Sequence, residues 1–332
     1  MYRPRVAIVG AGLMGYWHAR YARRCGAEIA LVVDTVADRA ESLAAKFGAR
    51  TSDNLLDVAQ RHSIEVAHIC TPLAHHDAMI AAMLTQNCHV ICEKPLARDP
   101  NRVEALVNDA VGRQRVLVPV HQFLFQRGVR KLADSRAKLG SVQSIAFEFC
   151  SAGADRLGND AAGSLVEEIL PHPVSILESL GLPTHTADWR VLRAKAGEVL
   201  ATSMLDATVC SIHVSATARP TVAAMTLRGT LATAYVDFFH GYLRLYPGAS
   251  TRKDKILRPF RDAAGLIGTA GVNLALRGAR GEPAYPGLKE LIRDSYALMQ
   301  TPASASGSHT RTVRIYQTCA QLRAAMQQAS CR

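Results

Sequence analysis

The first 120 residues alternate short apolar runs with longer amphipathic stretches. The apolar runs lie at 6–9, 29–34, 66–70, 90–92 and 116–120, and the helix-like stretches at 14–25, 37–47, 55–62, 76–86 and 101–111. Short buried strands that alternate with amphipathic helices are typical of parallel strands joined by crossover helices. The pattern therefore predicts an α/β domain over residues 1–120 with a doubly wound parallel sheet.

After residue 120 the pattern becomes rich in β-formers. Residues 163–180 predict one helix that Pro171 and Pro173 interrupt. Runs of Val, Thr, Tyr and Phe follow at 187–194, 200–216, 222–227, 232–239 and 242–246. Helices are predicted at 288–300 and 312–328, with a loop over the small polar residues 301–310 between them. Strands without intervening helices predict a large, open, mostly antiparallel sheet in an α+β domain over residues 121–332, with the C-terminal helix a candidate to pack back on the first domain.

Composition bounds the class of protein. The chain of 332 residues is long enough for two domains, and 48% of it is hydrophobic. Eight cysteines are scattered without a C-x-x-C pair, which favours a reducing, cytoplasmic location over a disulfide framework. No signal peptide and no apolar run of membrane-spanning length is evident. No His, Cys and Asp pattern has the spacing of a zinc site, so no metal is predicted.

The formal net charge of +11 is unevenly distributed. Residues 252–280 carry seven basic and two acidic side chains, and so contribute +5. The uncharged run 263–276 lies inside this segment. Three interpretations remain open: a lid or oligomer arm, a pair of ordinary helices with solvated basic ends, or a helix on an anionic membrane surface. Nucleic acid is not an expected partner, since no aromatic residues alternate with the basic ones.

A glycine-rich turn follows the first apolar run. It reads Gly10-Ala-Gly12-Leu13-Met14-Gly15, and the second apolar run ends at Asp34. Glycines between a strand and a helix allow backbone N–H groups to approach a pyrophosphate, and the helix N-terminus adds partial positive charge there. Asp34 would accept hydrogen bonds from ribose hydroxyls and would repel a 2′-phosphate, so the turn predicts NAD rather than NADP.

Two further segments follow predicted strands. Thr71-Pro72 comes after the third apolar run, and Glu93-Lys94-Pro95 comes after the fourth. Ligands bind at the carboxyl ends of the strands in such sheets. A lysine at this position could polarise a substrate oxygen while hydride is transferred.

The glycine turn, Thr71-Pro72-x-x-His75 and Glu93-Lys94-Pro95, at these spacings, resemble the Gfo/Idh/MocA oxidoreductases. Residues 129–132 and Gly229-Thr230-Leu231 resemble segments of that family's second domain. The resemblance implies a Rossmann domain followed by a C-terminal α/β domain. It also implies a sugar or cyclitol dehydrogenase that forms homodimers or homotetramers.

The resemblance also assigns roles to single residues. Lys94 and His172 would be catalytic, with Glu168 orienting His172 from the place of a family aspartate, four residues earlier on one helical face. Ser175 takes the place of a second family aspartate. The cofactor contacts implied are Gly10, Gly12, Leu13, Met14, Gly15, Asp34, Thr71, Pro72, His75, Glu93 and Lys94. The substrate contacts implied are Lys94, His121, Gln122, His172 and Ser175.

The sequence thus predicts an NAD(H)-dependent oxidoreductase that acts on a hydroxyl or carbonyl carbon of a sugar derivative. The positive charge and the missing aspartate at Ser175 favour an anionic substrate, such as a nucleotide sugar or a uronate. Two alternatives stay open. One is an epimerase or lyase that retains NAD through an internal redox cycle, and the other is an NAD-binding sensor or subunit without catalysis.

Overall fold

The computed structural model describes residues 3–55, 63–151, 159–195, 197–248 and 251–330. The chain divides into two compact units, Met1–His121 with Leu288–Tyr316, and Gln122–Gly287 with Gln317–Arg332. The helix predicted at 55–62 lies almost wholly outside the described residues.

The first unit is built on a six-stranded parallel sheet. Its strands are β1 (Arg5–Val9), β2 (Glu28–Val33), β3 (Arg50–Ser52), β4 (Val66–Ile69), β5 (His89–Cys92) and β6 (Leu117–Pro119). Its helices are α1 (Leu13–Arg24), α2 (Ala37–Phe47), α3 (Leu73–Thr85), α4 (Pro100–Gly112) and α9 (Leu288–Met299). The strand order β3-β2-β1-β4-β5-β6 has its crossover beside β1, which confirms the predicted doubly wound sheet.

Continuous apolar strands suit this sheet because helices cover both faces of a parallel sheet. Strands β4 and β5 are buried at every position. Helix α9 packs against α1, where the thiol of Cys25 donates to the carbonyl oxygen of Lys289 at 3.5 Å. The carboxyl ends of β1, β4, β5 and β6 thus meet at one edge of a rigid sheet.

The second unit contains a seven-stranded sheet in the order β13-β12-β11-β7-β10-β9-β8. Its strands are β7 (Val142–Cys150), β8 (Arg190–Lys195), β9 (Glu198–Leu205), β10 (Thr208–Ser215), β11 (Val222–Gly229), β12 (Ala232–Asp237) and β13 (Tyr242–Pro247). Its helices are α5 (Arg127–Asp134), α6 (Asn159–Ile169), α7 (Pro171–Ser179) and α8 (Arg252–Arg280), and α10 (Ser306–Ser330) runs from the first unit into the second. Among the described strands of this sheet only β7 and β10 pair in parallel, so the sheet is mostly antiparallel as predicted.

The two faces of this sheet differ along the central strand β7. Ile145, Phe147 and Phe149 are buried, whereas Glu148 between them is exposed. Because side chains alternate between faces along a strand, one face packs in the core and the other lies open.

Three details of the predicted elements were wrong. The run 200–216 is a hairpin, since Asp206 turns the chain between β9 and β10 with φ 52°. The helix predicted at 163–180 is two helices, α6 and α7, because Pro171 and Pro173 have no N–H to donate to the preceding turn. Residues 301–310 are not one loop, since α10 already begins at Ser306.

Candidate active site

The glycine turn has room for a ligand on one side and none on the other. Gly10 has φ +96°, and a Cβ there would lie 2.8 Å from the carbonyl oxygen of Cys70. A Cβ at Gly15 would collide with the carbonyl oxygen of Gly10, whereas a Cβ at Gly12 would meet nothing within 4 Å. Gly10 and Gly15 therefore allow the turn to fold, and Gly12 leaves its outer side open. This cradle fits the pyrophosphate of a dinucleotide.

Helix α1 begins directly after the turn. Gly12 is its N-cap and provides no side chain to cap the first N–H groups. The backbone of Leu13 and Met14 forms the first turn, while the Leu13 side chain is exposed. The unsatisfied amides and the helix dipole favour an anion at this end.

Asp34 lies at the carboxyl end of β2 and contacts the turn. Its Oδ2 accepts from the amide of Ala11 at 2.7 Å, and its Oδ1 accepts from the amide of Val36 at 2.9 Å. These two hydrogen bonds hold the glycine turn in place, and the carboxylate is half-buried. A carboxylate oxygen accepts more than one hydrogen bond, so ribose hydroxyls can share it.

The loops after β4 and β5 are tied together by a buried histidine. The two ring nitrogens of His76 lie 2.7 Å from the carbonyl oxygens of Thr71 and Pro95, respectively. Pro72 is the N-cap of α3, and His75 in its first turn is exposed. His76, rather than His75, thus fixes the loops that carry Thr71 and Lys94.

Glu93 and Lys94 follow β5 directly. The amide of Lys94 donates to Oε2 of its neighbour Glu93 at 3.3 Å. The other carboxylate oxygen of Glu93 lies 3.2 Å from Nε2 of His18. Glu93 is therefore held from both sides beside Lys94.

A chain of buried hydrogen bonds continues from His18 into the sheet. Nδ1 of His18 and Nδ1 of His68 lie 2.9 Å apart, and Nε2 of His68 lies 2.9 Å from the hydroxyl of Tyr296. Both histidines are fully buried. Burial, with His18 as a smaller contribution, holds the pKa of His68 well below its usual value. Its imidazole is therefore neutral inside the sheet.

His121 follows β6, the last strand of the first sheet. It is 4% exposed, and neither ring nitrogen has a hydrogen-bond partner among the described residues. Burial, and to a smaller extent the charge of Lys94, lowers its pKa to about 3. The ring lies near that of Tyr316, whose hydroxyl accepts from the amide of Leu96 at 2.8 Å. His121 is thus a neutral imidazole with two polar atoms that a ligand could satisfy.

In the second unit His172 lies on a stack of aromatic rings. Its imidazole is stacked on Phe123, with ring centroids 4.3 Å apart and planes inclined by 21°. Phe123 is in turn stacked with Phe238 at 5.0 Å and with Phe149 at 6.4 Å. Gln122 begins the short 3-10 helix that carries Phe123. The stack determines the plane of the imidazole.

Glu168 and Ser175 flank His172 along the chain. Glu168 is exposed near the end of α6, so the structure places it and His172 on successive helices, not on one. Leu170 between them still has helical dihedral angles. Ser175 is fully buried, and its hydroxyl donates to the carbonyl oxygen of His172 at 2.8 Å. That hydroxyl is engaged with the backbone of its own helix.

Several of these residues carried no signal along the sequence. The site residues predicted from the sequence are contacted, directly or through another side chain, by residues of distant elements: His18, His68, Tyr296, Tyr316 and Phe123. An isolated histidine inside an apolar helix or strand, such as His18 or His68, was the one hint available. Buried polar groups require partners, but the sequence does not name them.

Three further donor groups approach each other on the second sheet. Donor atoms of Glu148, Cys150 and His213 lie within 4.8 Å of one another. Nε2 of His213 donates to the carboxylate of Glu198 at 2.8 Å, and the Cys150 thiol donates to Glu148 at 3.8 Å. Burial and the two carboxylates raise the pKa of Cys150, so its thiol is protonated. Each group of this cluster therefore forms a hydrogen bond with a neighbouring side chain.

The N-terminal segment can be compared with known families. Residues 4–121 match the Gfo/Idh/MocA model, which describes an oxidoreductase family with an NAD-binding Rossmann fold. These residues belong to the Gfo/Idh/MocA family. The match includes the glycine turn, Asp34, Thr71, Glu93 and Lys94.

Curated relatives in the Gfo/Idh/MocA family are dehydrogenases. Inositol 2-dehydrogenase 1 of Mycolicibacterium vanbaalenii is 40% identical over 97 residues, which is 28% of each chain. Inositol 2-dehydrogenase of Renibacterium salmoninarum is 28% identical over 172 residues, 50% of this chain and 51% of the relative. The matches thus span 28% to 51% of these relatives.

Solved structures resemble the fold over nearly the whole chain. Levoglucosan dehydrogenase, in complex with NADH and levoglucosan, gives a TM-score of 0.75 at 15% identity, over 98% of each chain. UDP-N-acetylglucosamine 3-dehydrogenase of Acidithiobacillus ferrooxidans gives 0.64 at 21% identity, over 93% of this chain and 99% of that one. At these identities the likeness shows that the chain shares the fold of these structures, and the fold alone.

Proposed function

We propose that this protein is an NAD(H)-dependent dehydrogenase that oxidises a CH–OH group of a sugar derivative or reduces the corresponding carbonyl. The observation that carries the proposal is the row of groups at one edge of the first sheet. The glycine turn, Thr71, Glu93-Lys94 and the buried His121 follow β1, β4, β5 and β6 in turn. A cofactor cradle and a cation at the same sheet edge are what hydride transfer at a carbonyl requires.

NAD is the proposed cofactor, held by the glycine turn, the backbone of Leu13 and Met14, Asp34 and the loops after β4 and β5. When bound, NAD supplies the hydride acceptor, and NADH the hydride donor. The charge of Asp34 opposes the 2′-phosphate of NADP. Thr71, Pro72, His75 and Glu93 are proposed to line the cofactor site.

Lys94 and His172 are the proposed catalytic residues. The ammonium of Lys94 stabilises the negative charge that develops on the substrate oxygen. The imidazole of His172 takes the hydroxyl proton during oxidation and returns it during reduction, a role to which the side chain of histidine is suited. Glu168 is proposed to orient His172 from the preceding helix.

The proposed substrate is a sugar or cyclitol derivative, and an anionic one is preferred. His121 supports this assignment, because its two buried nitrogens can donate to and accept from sugar hydroxyls. Gln122 is a second proposed contact, whereas a substrate contact for Ser175 stays a prediction. The chain charge of +11 favours a nucleotide sugar or a uronate. The open face of the second sheet is proposed to form a homodimer or homotetramer.

The test is a substrate panel with the purified full-length protein. Initial rates of NADH formation are measured with myo-inositol, a neutral hexose, UDP-N-acetylglucosamine and UDP-glucuronate. Lys94→Ala is expected to lower kcat by about 10²–10³-fold while NAD affinity, measured by calorimetry, stays nearly unchanged. Lys138→Ala, at an exposed position of the second unit, is the control.

The outcomes separate the alternatives. Retained turnover in Lys94→Ala would remove Lys94 from the mechanism, and equal rates on neutral and charged sugars would remove the anionic preference. Cofactor that copurifies with the protein, together with substrate isomerisation and no net NADH, would indicate a redox cycle. NAD binding without turnover of any substrate would indicate a sensor.

A further inference from the structure

The basic segment 252–280 forms one continuous helix, α8, with an exposed apolar face. Ile256, Phe260, Ile267 and Leu274 are 64%, 74%, 75% and 70% exposed. Together with Ala263 and Ala270 they recur every three or four residues, so they form one stripe along the helix. Contiguous exposed apolar surface of this kind marks a site of interaction.

The polar face of α8 is the one that packs on its own domain. The side-chain amide of Asn273 donates to the carbonyl oxygen of His240 at 2.7 Å. The guanidinium of Arg244 on β13 pairs with Asp262 at 3.0 Å, and that of Arg277 donates to the carbonyl oxygen of Pro283 at 3.0 Å. A surface helix normally turns its apolar face inward. Helix α8 has the opposite orientation, with its apolar face outward, and the polar contacts above hold it in that orientation.

The exposed charges on α8 are basic. Both of its acids are half-buried and paired, Asp254 with Arg261 and Asp262 with Arg244. Arg252, Lys253 and Lys255 are exposed and form no ion pair among the described residues. Arg252 and Lys253 precede Ile256 by four and three residues and so share its face. The outward surface thus presents an apolar stripe that begins with cations and shows no unpaired acid.

We propose that α8 docks this protein onto an anionic lipid bilayer. The stripe from Ile256 to Leu274 would lie in the interface between headgroups and acyl chains, parallel to the membrane plane. The cations at its N-terminal end would attract anionic headgroups. None of the described helices is long and apolar enough to span a bilayer, so the contact is peripheral.

Charge argues against a second copy of the chain as the occupant. An antiparallel pair of α8 helices would bring Arg252, Lys253 and Lys255 of one copy towards the exposed Arg280 of the other. A parallel pair would bring the basic N-terminal ends together. Like charges at such distances repel, and the acids that could offset them are paired within each chain.

The test is flotation of the full-length protein with lipid vesicles. Binding is expected with vesicles of phosphatidylcholine that contain roughly 30% phosphatidylglycerol, and not with pure phosphatidylcholine, and salt should weaken it. The variant F260E/I267E should lower vesicle affinity by about tenfold or more, since two apolar anchors are lost. The matched control L231E/M204E changes two exposed apolar residues of the same unit outside α8.

A second variant covers the case in which F260E/I267E fails to fold. R252Q/K253Q/K255Q leaves the apolar stripe intact and should lower affinity for anionic vesicles alone. Failure of the wild-type protein to float with anionic vesicles overturns the proposal, as does equal binding by both double variants. Light scattering that shows a dimer lost only in F260E/I267E would assign the stripe to a second copy of the chain and also overturn it.

Discussion

His18 donates from Nε2 to the carboxylate of Glu93, and this contact ends a buried hydrogen-bond chain behind Lys94. A carboxylate only accepts, so His18 is the donor of this hydrogen bond. Nδ1 of His68 shares a hydrogen bond with Nδ1 of His18, and Nε2 of His68 shares another with the hydroxyl of Tyr296. Tyr296 is therefore the far end of a chain that leads to Glu93.

Replacing Tyr296 by Phe removes the hydroxyl at that end of the chain. Nε2 of His68 is then buried without a hydrogen bond, which should lower the free energy of unfolding by about 1–3 kcal/mol. Urea denaturation measures the change. Tyr16→Phe is the control, because the part-buried hydroxyl of Tyr16 accepts from Arg20 on the same helix and lies outside this chain of hydrogen bonds. Equal losses in the two variants would contradict the chain.

His121 should make the protein sensitive to acid. Its folded pKa is about 3, well below the ordinary 6.5. Between these values the unfolded chain binds a proton that the folded protein does not, so stability is lost as the pH falls below about 6.5. The slope contributed by one such group approaches about 1.4 kcal/mol per pH unit.

His121→Asn should reduce the slope of the free energy of unfolding against pH by up to the contribution of one proton. The measurement is the free energy of unfolding by urea at a series of pH values between about 4 and 7. His75→Asn, which alters an exposed histidine of the same unit, should leave the slope unchanged. An unaltered slope in His121→Asn would show that His121 is protonated alike in both states.

The glycines of the turn should separate folding from binding. Gly15→Ala should destabilise the fold severely, because its Cβ would collide with the carbonyl oxygen of Gly10. Gly12→Ala meets nothing within 4 Å, so it should change stability by no more than about 1 kcal/mol. It should nevertheless weaken NAD binding in calorimetry by filling the open side of the turn. Unchanged NAD affinity in Gly12→Ala would place the pyrophosphate elsewhere.

Asp34→Asn should relax the choice between cofactors. The amide oxygen still accepts from Ala11, the amide nitrogen can no longer accept from Val36, and the negative charge is gone. The ratio of NAD to NADP affinity should fall by about tenfold, equivalent to 1.4 kcal/mol. Glu41→Gln, at an exposed position of α2, is the control. A ratio that does not move would exclude charge repulsion as the basis of selectivity.

Phe123 should act as a positioning residue for His172. Phe123→Leu removes the stacked ring, a contact worth about 0.5–1.5 kcal/mol. If His172 exchanges the proton, kcat should fall by about two- to tenfold with little change in KM, and Phe123→Tyr should restore it. Phe125→Leu, whose ring contacts Arg130 instead, is the control. A change in KM alone would argue for substrate binding instead.

The sequence predicted residues 1–121 of the first unit well because the signals there are local. Each buried parallel strand appears as a continuous apolar run, and the glycines of a strand–helix turn are adjacent in the chain. Lys94 could be placed at a strand end for the same reason. The roles assigned to these residues rest on contacts with a ligand and stay predictions.

The helices in the C-terminal half of the chain were predicted less well. Small polar residues over 301–310 favour a loop, yet α10 begins at Ser306 with His309 and Thr312 buried. The hydroxyls of Thr310 and Thr312 donate to carbonyl oxygens four residues earlier. Tertiary burial therefore overrode the local preference. In α8 the uncharged run 263–276 was evident from the sequence, but the sequence did not show which face of the helix is exposed.

By itself the sequence determined the alternation of strands and helices along the first domain, the glycine turn with Asp34 after β2, and the position of Lys94 after β5. Periodicity and spacing are properties of neighbouring residues, so they can be read along the chain. Only the tertiary structure decided that His18, His68 and Tyr296 hold Glu93, that His172 lies on Phe123, and that α8 turns its apolar stripe outward. These arrangements join residues up to 228 positions apart. Such contacts depend on how whole elements pack, and no local pattern records that.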